Sequence, residues 1–350
     1  MEHPIFTDIS NWEKIAYSNT GGTRSKKIYI HPTEEVQYFF KGSKKLKDGS
    51  FKYPNEFWSE IASSKIGQML GFHVLDYNIG YDKNDEQKIG CLSKSMISND
   101  KNKLAEGIDY LRGFSPNYNP KTDEYQYTFE FIINALDFYG LKSTSYKKII
   151  EMVFLDAIIG NSDRHHENWA FITNFSESLE EYDRKIEKSK GLRDKLSWGF
   201  LKYLIGLLLK SDLNPALKGL LVPTTFSPIY DSGCSLGREN TDDRIDKMLS
   251  NPQMMDAYIS RKGKSEIRIK EGNKPNHFEL LNFIKINYIS EFNDVKNMIV
   301  QNFNIDKLKN LIENIDYNLP REQSEFSLSN RRKELMYKIV TLRIQKIKEL

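Results

Sequence analysis

Strand-forming segments dominate the first part of the chain, up to about residue 100, and the remainder is mainly helical in pattern. The expected strands are rich in β-branched and aromatic side chains and lie at 25–30, 34–40, 72–82 and 88–97. Between the second and the third lies an amphipathic helical pattern that begins at Pro54 and ends at Gly71. The polar stretch 98–103 then breaks the pattern, so we expect a lobe boundary there.

Helical patterns continue from this boundary to the end of the chain. An apolar run at 147–160 predicts a buried helix, and the mixed charges of 181–195 predict a solvated helix. The chain closes with a basic amphipathic segment at 329–350. The sequence therefore predicts an α+β fold of two lobes, a small strand-rich lobe at 1–98 and a helical lobe at 99–350.

The composition is that of an ordinary globular protein. Lys and Arg minus Asp and Glu gives 51 − 48 = +3, a net charge too small to indicate a nucleic-acid or membrane partner. Two cysteines exclude a disulfide framework and a four-cysteine zinc site. The first residues do not have the pattern of a signal peptide, and the longest apolar run, 203–209, is shorter than the ~20 residues of a membrane span. We therefore expect a cytoplasmic protein.

The most informative stretch is the polar loop 161–168, which follows the predicted buried helix and precedes a strand-like segment. Asp163 and Asn168 lie 168 − 163 = 5 residues apart, which is the Asp-to-Asn spacing of a protein-kinase catalytic loop. At this spacing a carboxylate can face an attacking hydroxyl while an amide oxygen reaches a magnesium ion on the phosphates. Adjacent His165 and His166 cannot easily face one zinc ion, so the loop does not favour a zinc site.

A second candidate metal ligand follows downstream, in the segment PIYDSG at 228–233. Asp231 comes at the end of a strand-like approach, where a kinase-type site needs a carboxylate for magnesium. Gly233 lets the backbone turn sharply after it. Because this motif follows the loop with Asp163 in the order found in kinases, the two motifs together indicate phosphoryl transfer more strongly than either alone.

Two further candidates lie in the strand-rich lobe. Lys41 ends the second strand, from where an ammonium group can reach the α- and β-phosphates of a nucleotide. Glu60 lies on the helix that follows and can orient this lysine. Glu56 is an alternative acid on the same helix, and the residues by themselves leave the choice open.

A glycine-containing loop, SNTGGTRSKK at 18–27, precedes the first clear strand. Gly21 and Gly22 let the backbone approach phosphate oxygens, and Thr23 and Lys26 are the candidate side chains beside them. The loop lacks the spacing of a Walker motif, so P-loop chemistry is not expected. A plain hairpin turn is the alternative interpretation.

Together these segments resemble the HipA-fold serine/threonine kinases, the bacterial toxin kinases of toxin–antitoxin modules. The segments that carry the resemblance are NTGGTRSKK (19–27), FFK (39–41), NEFWSEIASSKIGQMLGF (55–72), GNSDRHHENWAF (160–171), PIYDSG (228–233) and the C-terminal helix. The resemblance covers most of the chain, from about residue 18 to the end. It is to the shorter, stand-alone or split members of the family, with an insertion at about 176–222 between the two catalytic motifs.

The resemblance implies a role for each candidate residue. In the helical lobe it implies Asp163 as the catalytic base, His165 as a residue that stabilises the loop, and Asn168 and Asp231 as magnesium ligands. In the strand-rich lobe the residues implied to bind ATP are Gly21, Gly22, Thr23 and Lys26 of the glycine loop, Lys41 with Glu60, and Ser95 and Met96 of the adenine hinge.

The implied activity is Mg²⁺-dependent transfer of the ATP γ-phosphate to a serine or threonine of a protein, with an antitoxin protein as a further partner. The DRHxxN form of the loop is also similar to that of phosphoinositide-kinase-like enzymes, so a lipid or small-molecule hydroxyl is the alternative acceptor. A catalytically silent nucleotide-binding scaffold is a second alternative. Three points stay open: autophosphorylation, the target, and whether the insertion helix packs in the core, docks a partner or lies on a membrane surface. No direct contact of this chain with nucleic acid is predicted.

Overall fold

The computed structural model describes residues 3–15, 26–43, 46–97 and 101–350, without the side chains of 142–144 and 262. Its strands are β1 (Phe6–Asp8), β2 (Glu13–Ile15), β3 (Lys27–Ile30), β4 (Gln37–Lys41), β5 (Asn78–Tyr81), β6 (Ile89–Lys94), β7 (Lys103–Glu106), β8 (Ala170–Thr173) and β9 (Thr224–Phe226). Its first α-helices are α1 (Glu56–Leu70), α2 (Gly107–Phe114), α3 (Phe129–Phe138), α4 (Lys142–Ile159), α5 (Phe175–Lys188), α6 (Leu192–Lys210) and α7 (Pro215–Lys218). The remaining α-helices are α8 (Asp242–Ser250), α9 (Pro252–Ala257), α10 (His277–Asn287), α11 (Ile289–Asn302), α12 (Ile305–Glu313) and α13 (Asn330–Glu349).

The residues group into two compact units by the proximity of their Cα atoms. Unit 1 consists of Met1–Ser95, Lys147–Arg164 and Pro228–Leu350, and unit 2 of Met96–Tyr146 and His165–Ser227. This grouping is not the division into lobes at residue 98, which stays a prediction.

Unit 1 contains a sheet whose described strands follow the order β1-β5-β6-β4-β3-β2. β1 is parallel to β5, and the other neighbouring strands are antiparallel. The alternation along the interior strand β4 buries Phe40 in a cluster with Ile9, Tyr29 and Leu92. Lys41, the last residue of β4, is held in register opposite Cys91 of β6. The four predicted strand segments all contain a strand of this sheet.

Helix α1 packs against this sheet and is buried almost throughout, including Trp58 and Ile61. It ends where the sequence predicts, because Gly71 adopts a left-handed conformation with φ of 89° that closes the last turn. Two acidic residues, Glu56 and Glu60, are buried one turn apart on this helix. Buried carboxylates are retained only with cationic or hydrogen-bonding partners, so they mark a polar site within the core.

The predicted buried helix at 147–160 is confirmed as α4, which ends at Gly160 with φ of 69°. The single solvated helix predicted at 181–195 is wrong, since the chain forms α5 and α6 there. The break lies at 189–191, where Ser189 after α5 and Gly191 before α6 both have extended backbone angles. The closing basic segment at 329–350 is confirmed as α13.

Unit 2 contains the antiparallel sheet β7-β8-β9 and the helix pair α5 and α6. Phe175, Ile205 and Val222 form a small apolar cluster under this pair. Ile205 is the one residue of α6 that is buried, while Phe200 and Tyr203 are 61% and 62% exposed. Of the three alternatives for this helix, core packing therefore describes one face, and the other face is exposed. In the part of the chain that the structure describes, every helix is too short or too polar to cross a membrane.

Candidate active site

The centre of the candidate site is Lys41, whose ammonium group is buried in unit 1. Its Nζ lies 3.1 Å from Oε2 of Glu60 on α1 and 2.5 Å from Oδ1 of Asp231. A strand end, a helix and a loop distant in sequence thus bring one cation and two carboxylates together. Charge-assisted contacts of this kind fix the positions of all three side chains.

Asp231 is held in an uncommon backbone conformation, with φ of 54°. A residue with a side chain costs free energy in this left-handed region, and such strain is concentrated at functional sites. The Asp231 side chain is 19% exposed, so a ligand can reach its carboxylate. The chemistry of this donor fits Mg²⁺, which prefers carboxylate and amide oxygens.

Glu60 contacts both Lys41 and the segment that follows Asp231. Its Oε1 accepts a 2.6 Å hydrogen bond from the backbone N–H of Ser232, while its Oε2 faces Lys41. A Cβ atom on Gly233 would come within 2.7 Å of Glu60 Oε2. The glycine of the Asp-Ser-Gly motif therefore makes room for this carboxylate, whereas the left-handed backbone conformation of the motif belongs to Asp231 and not to Gly233.

Glu56, the alternative acid of the sequence, has a different partner. It forms a buried ion pair with Arg238. Arg238 Nη2 also donates to Sγ of Cys234, 2.9 Å away. Lys41 thus pairs with Glu60, and Glu56 belongs to a neighbouring network.

The network of Glu56, Arg238 and Cys234 also includes Asp163, the predicted base. The Cys234 thiol donates to Oδ2 of Asp163 over 3.0 Å. Asp163 is half-buried, and its backbone N–H donates to Oδ1 of Asn161 over 3.3 Å. Unit 1 therefore contains Lys41, Glu60, Asp231 and Asp163, four of the predicted site residues.

The sequence predicts no role for Arg164, yet its side chain contacts the residues on both sides of Asp231. Its fully buried guanidinium makes a two-point contact with Asp156 of α4, at 2.9 and 2.8 Å. It also donates to the carbonyl of Tyr230 and, over 3.1 Å, to Oγ of Ser232. Burial opposes its charge, but Asp156 outweighs burial and holds the pKa of Arg164 above its ordinary value. An acidic residue inside the apolar run of α4 was the sequence signal that could have revealed this pair.

The remaining predicted residues of the catalytic loop, His165 and Asn168, lie in unit 2. Nδ1 of His165 accepts from the backbone N–H of Glu167 over 3.2 Å, and the carbonyl of His165 accepts from the N–H of Asn168 over 2.9 Å. These bonds close a compact turn in which Asn168 is buried. Burial lowers the pKa of His166 to about 4, so this ring is neutral near pH 7.

Four predicted nucleotide-binding residues belong to the glycine loop. Gly21, Gly22 and Thr23 lie outside the described residues. Lys26 directly precedes β3, and its neighbour Lys27 pairs with Asp85.

The two hinge candidates follow β6. The backbone N–H of Ser95 donates to the carbonyl of Gln37 over 2.8 Å, which extends the pairing of β6 with β4, and Met96 comes next. Within the described ranges, no three His, Cys, Asp or Glu side chains are grouped so as to hold a metal ion.

No protein-family model matches the chain, and no curated protein matches it. Among solved structures, it is similar to the Helicobacter pylori proinflammatory kinase CtkA, with a TM-score of 0.65 and 18% sequence identity. That likeness covers 99% of this chain and 96% of the kinase. A weaker similarity, with a TM-score of 0.47 and 10% identity, is to HipA of Shewanella oneidensis MR-1, in the structure of its toxin–antitoxin complex with HipB and operator DNA. It covers 97% of this chain and 66% of HipA. The likeness to CtkA confirms the fold class that the sequence predicts, a kinase-like fold of the HipA type with a strand-rich N-terminal part and a mainly helical remainder.

Proposed function

We propose that this chain is a kinase that transfers the γ-phosphate of ATP to a serine or threonine hydroxyl of a protein, with Mg²⁺ as cofactor. The observation that carries the proposal is the contact of Lys41 with both Glu60 and Asp231. A buried lysine at a strand end, paired with a helix acid and next to a loop acid that can bind magnesium, is the arrangement that kinases use to position the phosphates of a nucleotide. The similarity to a solved kinase over almost the full chain supports the same reaction class.

Each residue has a definite task in the proposed reaction. Lys41, oriented by Glu60, holds the α- and β-phosphates of ATP. Asp231 and Asn168 supply the oxygen ligands for Mg²⁺, which when bound offsets the negative charge of the phosphates. The oxygen of the acceptor hydroxyl bonds to the γ-phosphorus, and the bond between the γ-phosphorus and ADP breaks. Asp163 accepts the proton that this hydroxyl loses. Positioning and electrostatics thus supply most of the catalysis.

The proposed setting follows the resemblance stated from the sequence. It includes a cytoplasmic location and an antitoxin protein that binds this chain. A lipid or small-molecule acceptor is the alternative that the DRHxxN form of the loop favours.

The test is transfer of labelled γ-phosphate from ATP with Mg²⁺, alone and with a bacterial lysate. We expect Asp163→Ala to lower transfer by about 100-fold or more, with nearly unchanged ATP affinity, because the base acts on the acceptor rather than on the nucleotide. Asp306→Ala, at an exposed position of α12, is the matched control and keeps wild-type transfer.

Label on protein serine or threonine that is lost in Asp163→Ala supports the proposal. Label only on lipid or small molecules favours the alternative acceptor. Binding of Mg·ATP without any transfer identifies a silent nucleotide-binding scaffold and contradicts the proposal.

A further inference from the structure

A polar cavity of about 480 Å³ lies within unit 1, beside the predicted base. Ser162, the residue before Asp163, lines it, as does Cys234, whose thiol donates to the Asp163 carboxylate. Lys41 and Asp231 do not line it. The cavity is therefore separate from the cluster assigned to the nucleotide, and its volume is that of an ordinary ligand pocket.

The charges that line this cavity are mainly positive. The lining contains four cationic side chains and a single carboxylate, that of Glu239. The cationic residues are Arg238, Arg261, Lys264 and Arg343. Arg238 is neutralised by its ion pair with Glu56 outside the lining. Arg261 and Lys264 are exposed at the cavity, and Arg261 also interacts with Asp256. A positive excess remains after these pairings.

Arg343 is the most informative of these cations, because it is only 1% exposed. Its Nη1 donates to the carbonyl of Ala157 over 2.8 Å, and its Nη2 donates to the carbonyl of Ile259 over 3.2 Å. Its Nε has no hydrogen-bond partner, and no carboxylate among the described residues pairs with the guanidinium. Burial lowers the pKa of Arg343 to about 10, which leaves it charged at neutral pH.

A purely structural role explains part of this arrangement. The carbonyl of Ala157 lies in the last turn of α4, where a cation is favourable. Such a cap does not use Nε, and it does not account for Arg261 and Lys264 at the same cavity. A buried guanidinium without a carboxylate is costly, and an anion in the adjoining cavity would offset that cost.

We propose that this cavity binds a carboxylate side chain of the substrate protein, next to the serine or threonine that is phosphorylated. The inference rests on the proposed function and adds a substrate class to it: acceptor segments with an acidic residue beside the hydroxyl. The position fits, because Cys234 and Ser162 connect the cavity directly to Asp163. Guanidinium groups are suited to this ligand, since their N–H donors match the two oxygens of a carboxylate.

The experiment measures peptide binding by fluorescence anisotropy, without nucleotide, so that it does not depend on catalysis. The probes are two fluorescein-labelled peptides that differ only in having glutamate or glutamine on both sides of a central serine. We expect the glutamate peptide to bind the wild-type chain about tenfold more tightly or better.

Three charge reversals locate the site. Lys264→Glu and Arg261→Glu are exposed changes that the fold tolerates, and each is expected to remove most of the preference for the glutamate peptide. Lys270→Glu is the matched control, since it lies exposed in the same segment but does not line the cavity. It is expected to keep the preference.

Equal binding of the two peptides by the wild-type chain overturns the inference, and so does an equal loss of preference in Lys270→Glu and Lys264→Glu. If the chain phosphorylates serine but does not prefer the glutamate peptide, the inference is overturned and the proposed function stands. Acidic preference in binding without phosphoryl transfer leaves the cavity assignment standing and overturns the proposed function.

Discussion

Three side chains, Lys41, Glu60 and Asp231, depend on one another at the candidate site. Each carboxylate is held by the ammonium group, and Glu60 is held in addition by the backbone of Ser232. Removal of Lys41 leaves two neighbouring carboxylates without the cation between them, which is costly, whereas removal of either acid leaves Lys41 with the other acid. Single substitutions in this cluster therefore affect the positions of the other two side chains.

Gly233→Ala tests this dependence without removing a charge. The added methyl group would meet Oε2 of Glu60 at 2.7 Å, so it displaces that carboxylate from Lys41. We expect the variant to lose about 1–3 kcal/mol in the free energy of unfolding and to bind ATP more weakly. Urea unfolding and ATP titration measure the two effects.

Gly199→Ala is the matched control for this substitution. No atom lies within 4 Å of the Cβ position at Gly199 in α6, so the variant is expected to be as stable as the wild type or slightly more stable. Wild-type ATP binding by Gly233→Ala would contradict the assigned packing role.

At the scale of elements, α1 and the segment after Tyr230 organise the site together. One turn of α1 places Glu60 against Lys41 and Ser232, and Glu56 against Arg238. Residues four apart on a helix lie on one face, so a single rigid helix positions both networks. The helix pair α5 and α6 differs from α1, because it buries little of its apolar surface.

The helix α6 allows a direct comparison of its two faces. Ile205 is 8% exposed and packs with Phe175 and Val222, whereas Phe200 is 61% exposed. We expect Ile205→Ala to lower the free energy of unfolding by about 2 kcal/mol, and Phe200→Ala to change it by less than about 0.5 kcal/mol. Urea unfolding of both variants measures the difference. A larger loss in Phe200→Ala than in Ile205→Ala would contradict the assignment of the faces.

At the scale of the whole molecule, hydrogen bonds within unit 1 join residues that are far apart in sequence. The Nε1 of Trp58 donates to the carbonyl of Phe326 over 2.8 Å, and Nε2 of His277 donates to the carbonyl of Asn161 over 2.7 Å. The second bond connects the start of α10 to the loop of the predicted base. Stability and the geometry of the site are therefore coupled through these contacts.

The buried His277 makes stability depend on pH. Burial, with a smaller effect of Arg343, lowers its pKa to about 4, whereas in the unfolded chain it is about 6.5. Between these values the unfolded chain binds the proton and the folded chain does not, so stability falls as the pH falls. We expect His277 to account for a loss of about 2 kcal/mol between pH 7 and pH 5.

Urea unfolding of the wild type and of His277→Gln at both pH values tests this assignment. The variant is expected to show a smaller loss between pH 7 and pH 5, by about 2 kcal/mol. An equal pH dependence in the two proteins would contradict it.

Local patterns were sufficient to predict the main elements and to select several candidate site residues. The helix that ends at Gly71 and the helix that ends at Gly160 were both predictable, because periodicity and a left-handed glycine act over a few residues. The short strands β1 and β2 were not predicted, since three-residue strands carry too little pattern. The charged stretch 181–195 was misread because its composition does not show the break at Gly191.

The sequence by itself determined which residues are candidates for the chemistry: Lys41, Asp163 and Asp231 follow from their motifs and spacing, and their roles stay a proposal. Only the tertiary structure decided that Glu60 rather than Glu56 pairs with Lys41, since both acids occupy the same face of α1. It also decided that Arg343 lies buried beside a cavity. The physical reason is range: turns and helices follow from neighbouring residues, whereas ion pairs and cavities form between segments that only folding brings together.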